Sequence, residues 1–106
     1  MTEATKNDQD KPRMELLPPK ALRGAAVVFG YGAKPPKYSE FNYKLGKGLD
    51  WGRVFAAIQR HLNSWNDGEE LDKESGYPHL WHALCGMMML DDLVESGMGK
   101  DTRFKK

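Results

Sequence analysis

The sequence is organised around residues 60–82, which read RHLNSWNDGEELDKESGYPHLWH. These 23 residues hold all three histidines and five of the fifteen carboxylates of the chain. The segment contains the end of one helical pattern, a loop rich in turn-forming residues, and the start of the next helical pattern. Because a short loop favours antiparallel neighbours, the sequence predicts that the three imidazoles lie near one end of a helix pair.

Helical spacing gives the histidines a common direction. His79 and His82 are three residues apart and therefore share one face of a helix. On the preceding helix, His61 follows Ile58 by three residues and lies on or beside an apolar stripe. That stripe consists of Trp51, Val54, Phe55, Ile58, Leu62 and Trp65. The loop adds acids at the rim of the same region, namely Asp67, Glu69, Asp72 and Glu74.

The residue types of this segment are those of a metal site. Imidazole and carboxylate together are metal ligands, and carboxylates alone would favour Mg²⁺ or Mn²⁺. The alternative is structural: core histidines bonded to main-chain carbonyls or acids, with the carboxylates as helix caps and turn residues. No metal signature is matched in full, since the chain has no H-E-x-x-H, no adjacent His-Asp pair and no Cys pair.

Length and charge restrict the class of protein. A chain of 106 residues forms one small domain with a thin core, so we expect a homo-oligomer. The net charge of +1 argues against a dedicated nucleic-acid-binding protein. Residues 1–60 hold eleven Lys and Arg against six acids, and residues 61–106 hold five against nine. This asymmetry suits cations that hold phosphates beside acids that hold a metal, or simply two solvated surfaces.

The single cysteine and the N-terminus indicate the compartment. Cys85 lies in an apolar run, which excludes a disulfide framework and favours packing over a nucleophilic role. The first ten residues lack the apolar core of a signal peptide, and no stretch reaches the ~20 apolar residues of a membrane span. We therefore expect a cytoplasmic protein without a membrane partner.

The remaining patterns predict an all-α fold with three main helices. Residues 1–10 are expected to be disordered, and a Pro-rich extended arm follows in which Met14, Leu16 and Leu17 anchor the chain. The first helix starts at Pro18-Pro19 and ends at Gly30 or Gly32. Asp50 caps a second helix from Trp51 to about Asn66, and the third runs from Pro78 to about Ser96. A single helical domain then covers residues 11–97, with a frayed tail at residues 98–106.

A long basic and aromatic loop separates the first two helices. Prolines and glycines between residues 31 and 49 exclude a continuous helix. Its aromatic residues can stack on a base while its lysines neutralise phosphates. The alternative is an aromatic-anchored loop that its lysines keep soluble. The residues concerned are Tyr38, Phe41 and Tyr43 with Lys34, Lys37, Lys44 and Lys47.

The order of short motifs resembles a known family. The motifs are Lys-Pro-Arg with Leu-Leu-Pro-Pro, Phe-Gly-Tyr-Gly-Ala-Lys with Lys-Tyr and Asn-Tyr, Arg-His-Leu, Gly-Glu, Asp-x-Glu-Ser-Gly, and His-Leu-x-His-Ala. From about Lys11 to Leu93 they resemble the small phage and prophage domain family named for dATP/dGTP diphosphohydrolase. The resemblance implies an all-helical domain, akin to MazG-like enzymes, that cleaves a purine deoxynucleoside triphosphate to monophosphate and pyrophosphate with Mg²⁺ or Mn²⁺. It also implies a viral origin and work inside an infected bacterium.

The resemblance also selects polar positions, although the chain departs from the family pattern at several points. The matching positions are Lys34, Lys37, Tyr38, Asn42, Arg60, His61, Glu69, Asp72, Glu74, His79 and His82. Pro35 and Pro36 are inserted, Tyr43 replaces an expected tryptophan, and Gly86 replaces an expected asparagine. The paired E-x-x-E helices of MazG-like enzymes are missing, so their metal site cannot be transferred here.

Three hypotheses follow for the function. In the first, Glu69, Asp72 or Glu74 binds a metal together with one or more of the catalytic histidines His61, His79 and His82. Substrate-binding residues in this hypothesis are Lys34, Lys37, Tyr38, Asn42 and Arg60. In the second, the protein binds a nucleotide or a nucleotide-derived signal without hydrolysing it. In the third, an oligomer docks a host protein through its Met-rich last helix.

Overall fold

The computed structural model describes residues 2–35 and 37–105 and confirms the all-α prediction. The helices are α1 (Pro19–Gly32), α2 (Trp51–Asn66) and α3 (His79–Ser96), with short 3₁₀ turns at Met14–Leu16 and Asn42–Lys44. Within the described ranges no strand forms, and Leu71 and Pro78 make an isolated bridge. No helix there is both long and apolar enough to cross a membrane. Met1, Pro36 and Lys106, which belong to the predicted disordered N-terminus, the proline insertion and the predicted tail, lie outside the described residues.

The third helix is central and packs against both of the others. Its contact with α2 buries Val54, Ile58, Ala83 and Leu93. Its contact with α1 relies on the buried Gly24, where an added Cβ would lie 2.5 Å from the indole of Trp81. The small residue at position 24 thus allows α1 and α3 to approach closely.

The tail residues, and not Asp50, cap the start of α2. Asp50 occupies the N-cap position but makes no side-chain cap hydrogen bond. Instead, the N–H of Trp51 donates to the Lys100 carbonyl at 3.0 Å, and the N–H of Gly52 donates to Thr102 Oγ1 at 2.8 Å. The segment that we expected to fray thus satisfies two of the N–H groups that a helix start leaves free.

The N-terminal arm does not anchor as predicted. Met14, Leu16 and Leu17 are 67%, 68% and 43% exposed. The arm satisfies its main chain locally, since the Leu17 N–H donates to the Met14 carbonyl at 3.1 Å, and no residue of the turn Met14–Leu16 is buried. Whether residues 2–10 are disordered stays a prediction.

The apolar run of α3 divides between the core and the surface. Cys85 is 2% exposed, and burial raises the pKa of its thiol to about 12, which fits the predicted packing role. Met87 and Met88 are 53% and 42% exposed, so this part of the helix is not covered within one chain.

Candidate functional site

The loop between α2 and α3 is a hairpin that hydrogen bonds hold closed, and it returns the chain to the side of α2. The Asp72 N–H donates to the Tyr77 carbonyl at 2.8 Å, and the His79 N–H donates to the Glu70 carbonyl at 2.9 Å. A tighter turn closes within it, where the Ser75 N–H donates to Asp72 Oδ2 at 2.8 Å. The first turn of α3 consequently lies beside the last turns of α2.

The three imidazoles converge, as the sequence predicts. His61 Nδ1 and His79 Nδ1 are 2.9 Å apart. The rings of His61 and His82 stack with centroids 4.4 Å apart and an interplanar angle of 9°. Their ring hydrogen bonds go to side chains and not to main-chain carbonyls, while the contact of His79 with Glu69 also agrees with the structural alternative, in which an acid bonds a core histidine.

Glu69 fixes the orientation of the most buried ring. His79 is 4% exposed, and its Nε2 lies 3.1 Å from Glu69 Oε1. A carboxylate accepts, so this hydrogen bond is donated by His79 Nε2. The other ring nitrogen, His79 Nδ1, faces His61 Nδ1. Carboxylates behind histidine ligands play this role in metal sites.

One of the predicted acids joins the histidines directly. His61, Asp72 and His79 each offer a ligand atom, and these atoms all lie within 4.8 Å of one another. Glu69 instead stands behind His79, and Glu74 pairs with Lys37 at 2.5 Å. The structure thus separates the three carboxylates that the sequence grouped as metal ligands and brings Asp72 alone to the imidazole pair.

The protonation states of this cluster suit cation binding. Burial lowers the pKa of His61 and of His82, and the neighbouring imidazoles lower both further. Burial opposes ionisation of Asp72, but hydrogen bonds from the Ser75 main chain and hydroxyl outweigh it, so the pKa of Asp72 is lowered. At neutral pH the rings of His61 and His82 are therefore neutral and lie beside an ionised Asp72.

Sequence reasoning did not assign Ser75 and Tyr31 to the site. The Ser75 hydroxyl lies 2.7 Å from His82 Nε2 and accepts from the Tyr77 N–H at 3.1 Å. The Tyr31 ring meets the His82 ring edge-on, with centroids 6.4 Å apart. The Asp-x-x-Ser spacing of a side-chain turn was the available signal for Ser75. Tyr31 had no such signal, because its place depends on how α1 docks.

The histidine cavity, of about 450 Å³, is lined by His61, His82 and Asp72 but not by His79, and basic residues also line it. Among the predicted substrate-binding residues, Lys37, Tyr38 and Arg60 line it. Lys37 Nζ lies 5.4 Å from the Tyr31 ring centroid, and its hydrogen bond to Glu74 raises its pKa. Asn42 lines a neighbouring cavity instead, and Lys34 is exposed.

Comparison with known proteins agrees with the resemblance read from the motifs. A family described as dATP/dGTP diphosphohydrolase, N-terminal, matches residues 1–103. The chain is also 30% identical, over 98 residues, to a protein of Salmonella phage PMBT28 named dATP/dGTP diphosphohydrolase. That alignment covers 92% of this chain but 32% of the phage protein, so the chain spans about a third of its relative. No solved structure matches the chain.

Proposed function

This chain belongs to the dATP/dGTP diphosphohydrolase N-terminal family, and from that premise we propose that it hydrolyses a purine deoxynucleoside triphosphate to the monophosphate and pyrophosphate. The reaction takes place in the histidine cavity and requires Mg²⁺ or Mn²⁺. One observation carries the proposal: His61, His79 and Asp72 bring their ligand atoms within 4.8 Å of one another, with Glu69 behind His79.

The donor atoms fit a divalent cation. Two nitrogens that ligate one metal at about 2.1 Å and at right angles lie about 3.0 Å apart. The observed separation of the two Nδ1 atoms is 2.9 Å. Two imidazoles with one carboxylate favour a transition metal such as Mn²⁺ over Mg²⁺, which prefers oxygen ligands. A bound cation would withdraw charge from the phosphoryl oxygens of the substrate.

The residues of the chain then have separate tasks. Lys37 and Arg60 offset the charge of the triphosphate. His82 is neutral and accepts a proton from the attacking water, whose oxygen bonds to the α-phosphorus. The bond from that phosphorus to the bridging oxygen breaks, and pyrophosphate leaves with the electron pair. Ser75 holds the His82 ring in place through the hydrogen bond of 2.7 Å.

The test is product analysis with and without metal. The protein is incubated with dATP or dGTP and Mn²⁺, Mg²⁺ or a chelator, and pyrophosphate and monophosphate are measured. His79→Ala and Asp72→Asn should each abolish release of pyrophosphate. Asp91→Asn is the matched control, because Asp91 is an exposed aspartate on α3. Pyrophosphate release that persists in both site variants would refute the assignment.

A second candidate is nucleotide binding without turnover by this chain. The partial coverage favours it, because two thirds of the phage relative have no counterpart here. In that case the same cavity holds the nucleotide and the chemical step requires the rest of a longer protein. Tight binding that a chelator does not weaken, without any pyrophosphate, would select this function over hydrolysis.

We also propose that two or more copies of the chain associate, in the cytoplasm of a phage-infected bacterium. Phe55, Leu62 and Trp65 share one face of α2 and are 50%, 39% and 41% exposed. Light scattering should give a mass that is a multiple of 12.0 kDa, and Leu62→Glu should lower it. A monomeric wild-type protein would instead leave this face to a host protein.

A further inference from the structure

A second cavity adjoins the histidine cavity. This aromatic cavity, of about 480 Å³, lies between the end of α1, the 38–43 loop and α3. Its volume is within the range of about 300–1,000 Å³ that is usual for small-molecule sites. Five residues line both cavities, so the two are adjacent; they are Gly32, Tyr38, Leu49, Arg53 and Met89.

The walls of the aromatic cavity are apolar and held in place. Phe29 and Tyr43 form one wall, with ring centroids 6.4 Å apart. The Tyr43 hydroxyl donates to Asp92 Oδ2 at 2.6 Å, which fixes that ring. Met89 and Leu49 contribute aliphatic surface from the opposite elements. Flat apolar walls of this kind accommodate the faces of a planar ring system.

Phe41 lies at the entrance of the aromatic cavity and does not pack in the hydrophobic core. It is 70% exposed, and its backbone has a φ of 56°, which is uncommon for a residue with a bulky side chain. The 3₁₀ turn that follows accepts this conformation, since the Lys44 N–H donates to the Phe41 carbonyl at 2.9 Å. The fold thus presents an aromatic ring to solvent beside an apolar cavity, as stacking surfaces for bases do.

Polar groups are few and lie on the same loop. Ser39, Glu40 and Asn42 line the cavity. An asparagine amide can donate and accept at once, which matches the edge of a purine. Arg53 lines both cavities, and Lys37 and Arg60 lie on the histidine side. A ligand that spans both cavities would therefore have a planar, apolar end and an anionic end.

We propose that the aromatic cavity binds the purine base of the nucleotide, with Phe41 stacking on the base and Asn42 contacting its edge, while the triphosphate extends past Arg53 to the histidine cavity. This inference rests on the proposed function for its choice of ligand. It assigns base recognition to the 38–43 loop and phosphate chemistry to the α2–α3 hairpin.

The test compares ligands that have and lack a base. Calorimetry measures binding of the α,β-methylene analogues of dATP and dGTP, which resist cleavage at the α-phosphorus, and of inorganic tripolyphosphate. Phe41→Ala should weaken binding of at least one analogue about tenfold, as loss of one stacking contact does, and leave tripolyphosphate within about twofold. Phe41→Trp should retain analogue binding, which separates stacking from a general effect on the loop. Phe104→Ala, at a residue that is 93% exposed and lines neither cavity, is the matched control.

The outcomes distinguish this inference from the proposed function. If Phe41→Ala weakens the binding of tripolyphosphate as much as that of the analogues, or changes the binding of neither, the base does not bind in the aromatic cavity and the inference is overturned. Failure of the wild-type protein to bind either analogue overturns it as well. A selective loss of analogue binding in Phe41→Ala sustains it even if the wild-type protein releases no pyrophosphate, a result that would overturn hydrolysis alone.

Discussion

Replacement of Gly86 by alanine tests how closely α2 and α3 must approach to form the site. A Cβ at Gly86 would lie 2.7 Å from Ile58 Cγ1. Carbon atoms in contact prefer about 3.5–4.0 Å, so the two would overlap by about 1 Å. Ile58 is 5% exposed, and its Cγ1 atom is bonded directly to Cβ, so this atom cannot move away into solvent.

Gly86→Ala should lower the stability of the protein, although replacing a helical glycine by alanine usually raises it. Overpacking costs about 1–3 kcal/mol, while replacing glycine by alanine inside a helix contributes about 1 kcal/mol of stability. We expect Gly86→Ala to lower the free energy of unfolding by about 1 kcal/mol and the melting temperature by about 4–8 °C. The measurement is thermal and urea denaturation followed by circular dichroism.

Two further variants make the reasoning refutable. Gly30→Ala is the matched control, because a Cβ there would meet nothing within 4 Å and should raise stability by about 1 kcal/mol. In an Ile58→Ala background the clash is gone, so Gly86→Ala should become stabilising, with a coupling of about 1–2 kcal/mol between the two sites. If Gly86→Ala and Gly30→Ala raise the melting temperature equally in the wild-type background, the close helix contact is wrong.

Three other predictions follow from the site and its supports. Burial lowers the pKa of His61 and His82 relative to the unfolded value of about 6.5. The unfolded chain therefore binds more protons than the folded one, and the melting temperature should fall as the pH drops from about 7 to 5. The fall should be smaller in His82→Gln, and a melting temperature that rises on acidification would contradict the assignment. Glu69→Gln should weaken Mn²⁺ binding about 10- to 100-fold in calorimetry, because it changes the group that orients His79. Glu95→Gln, on the exposed side of α3, should leave the affinity unchanged. Equal affinities of the two variants would show that Glu69 does not support His79 as a ligand. Thr102→Val removes the hydroxyl that accepts from the Gly52 N–H and should cost about 1 kcal/mol in urea denaturation, and no change would mean that water caps α2 equally well.

Local patterns were sufficient for the helices and for the meeting of the histidines. The prediction of α2 from Trp51 to about Asn66 agrees with its observed bounds, because an apolar stripe and the turn residues after Asn66 both act within a few positions. The end of α3 at Ser96 follows from Gly97, which adopts a φ of 67° that favours glycine. The convergence of the imidazoles needed only a short loop and helical spacing.

The choice among the carboxylates was beyond the sequence, because it depends on side-chain direction in an irregular turn. Glu69, Asp72 and Glu74 fall within six residues, yet one supports His79, one joins the histidines and one pairs with Lys37. The hydrogen bond from the Ser75 main chain to Asp72 decides which acid faces inward. The Asp-x-x-Ser spacing indicates such a turn, but it does not fix the direction in which the side chains of Glu69 and Glu74 point.

The glycine at position 86 now has a physical explanation. The family resemblance led us to expect an asparagine there. However, Gly86 lines the histidine cavity where Ile58 crosses α3, and even a single added carbon would overlap it. An asparagine would therefore force α2 outward one turn before His61 and disturb the separation of 2.9 Å between the two Nδ1 atoms. In this chain position 86 therefore allows a close helix contact and supplies no polar side chain. The His82 ring is hydrogen-bonded by Ser75 on the hairpin instead.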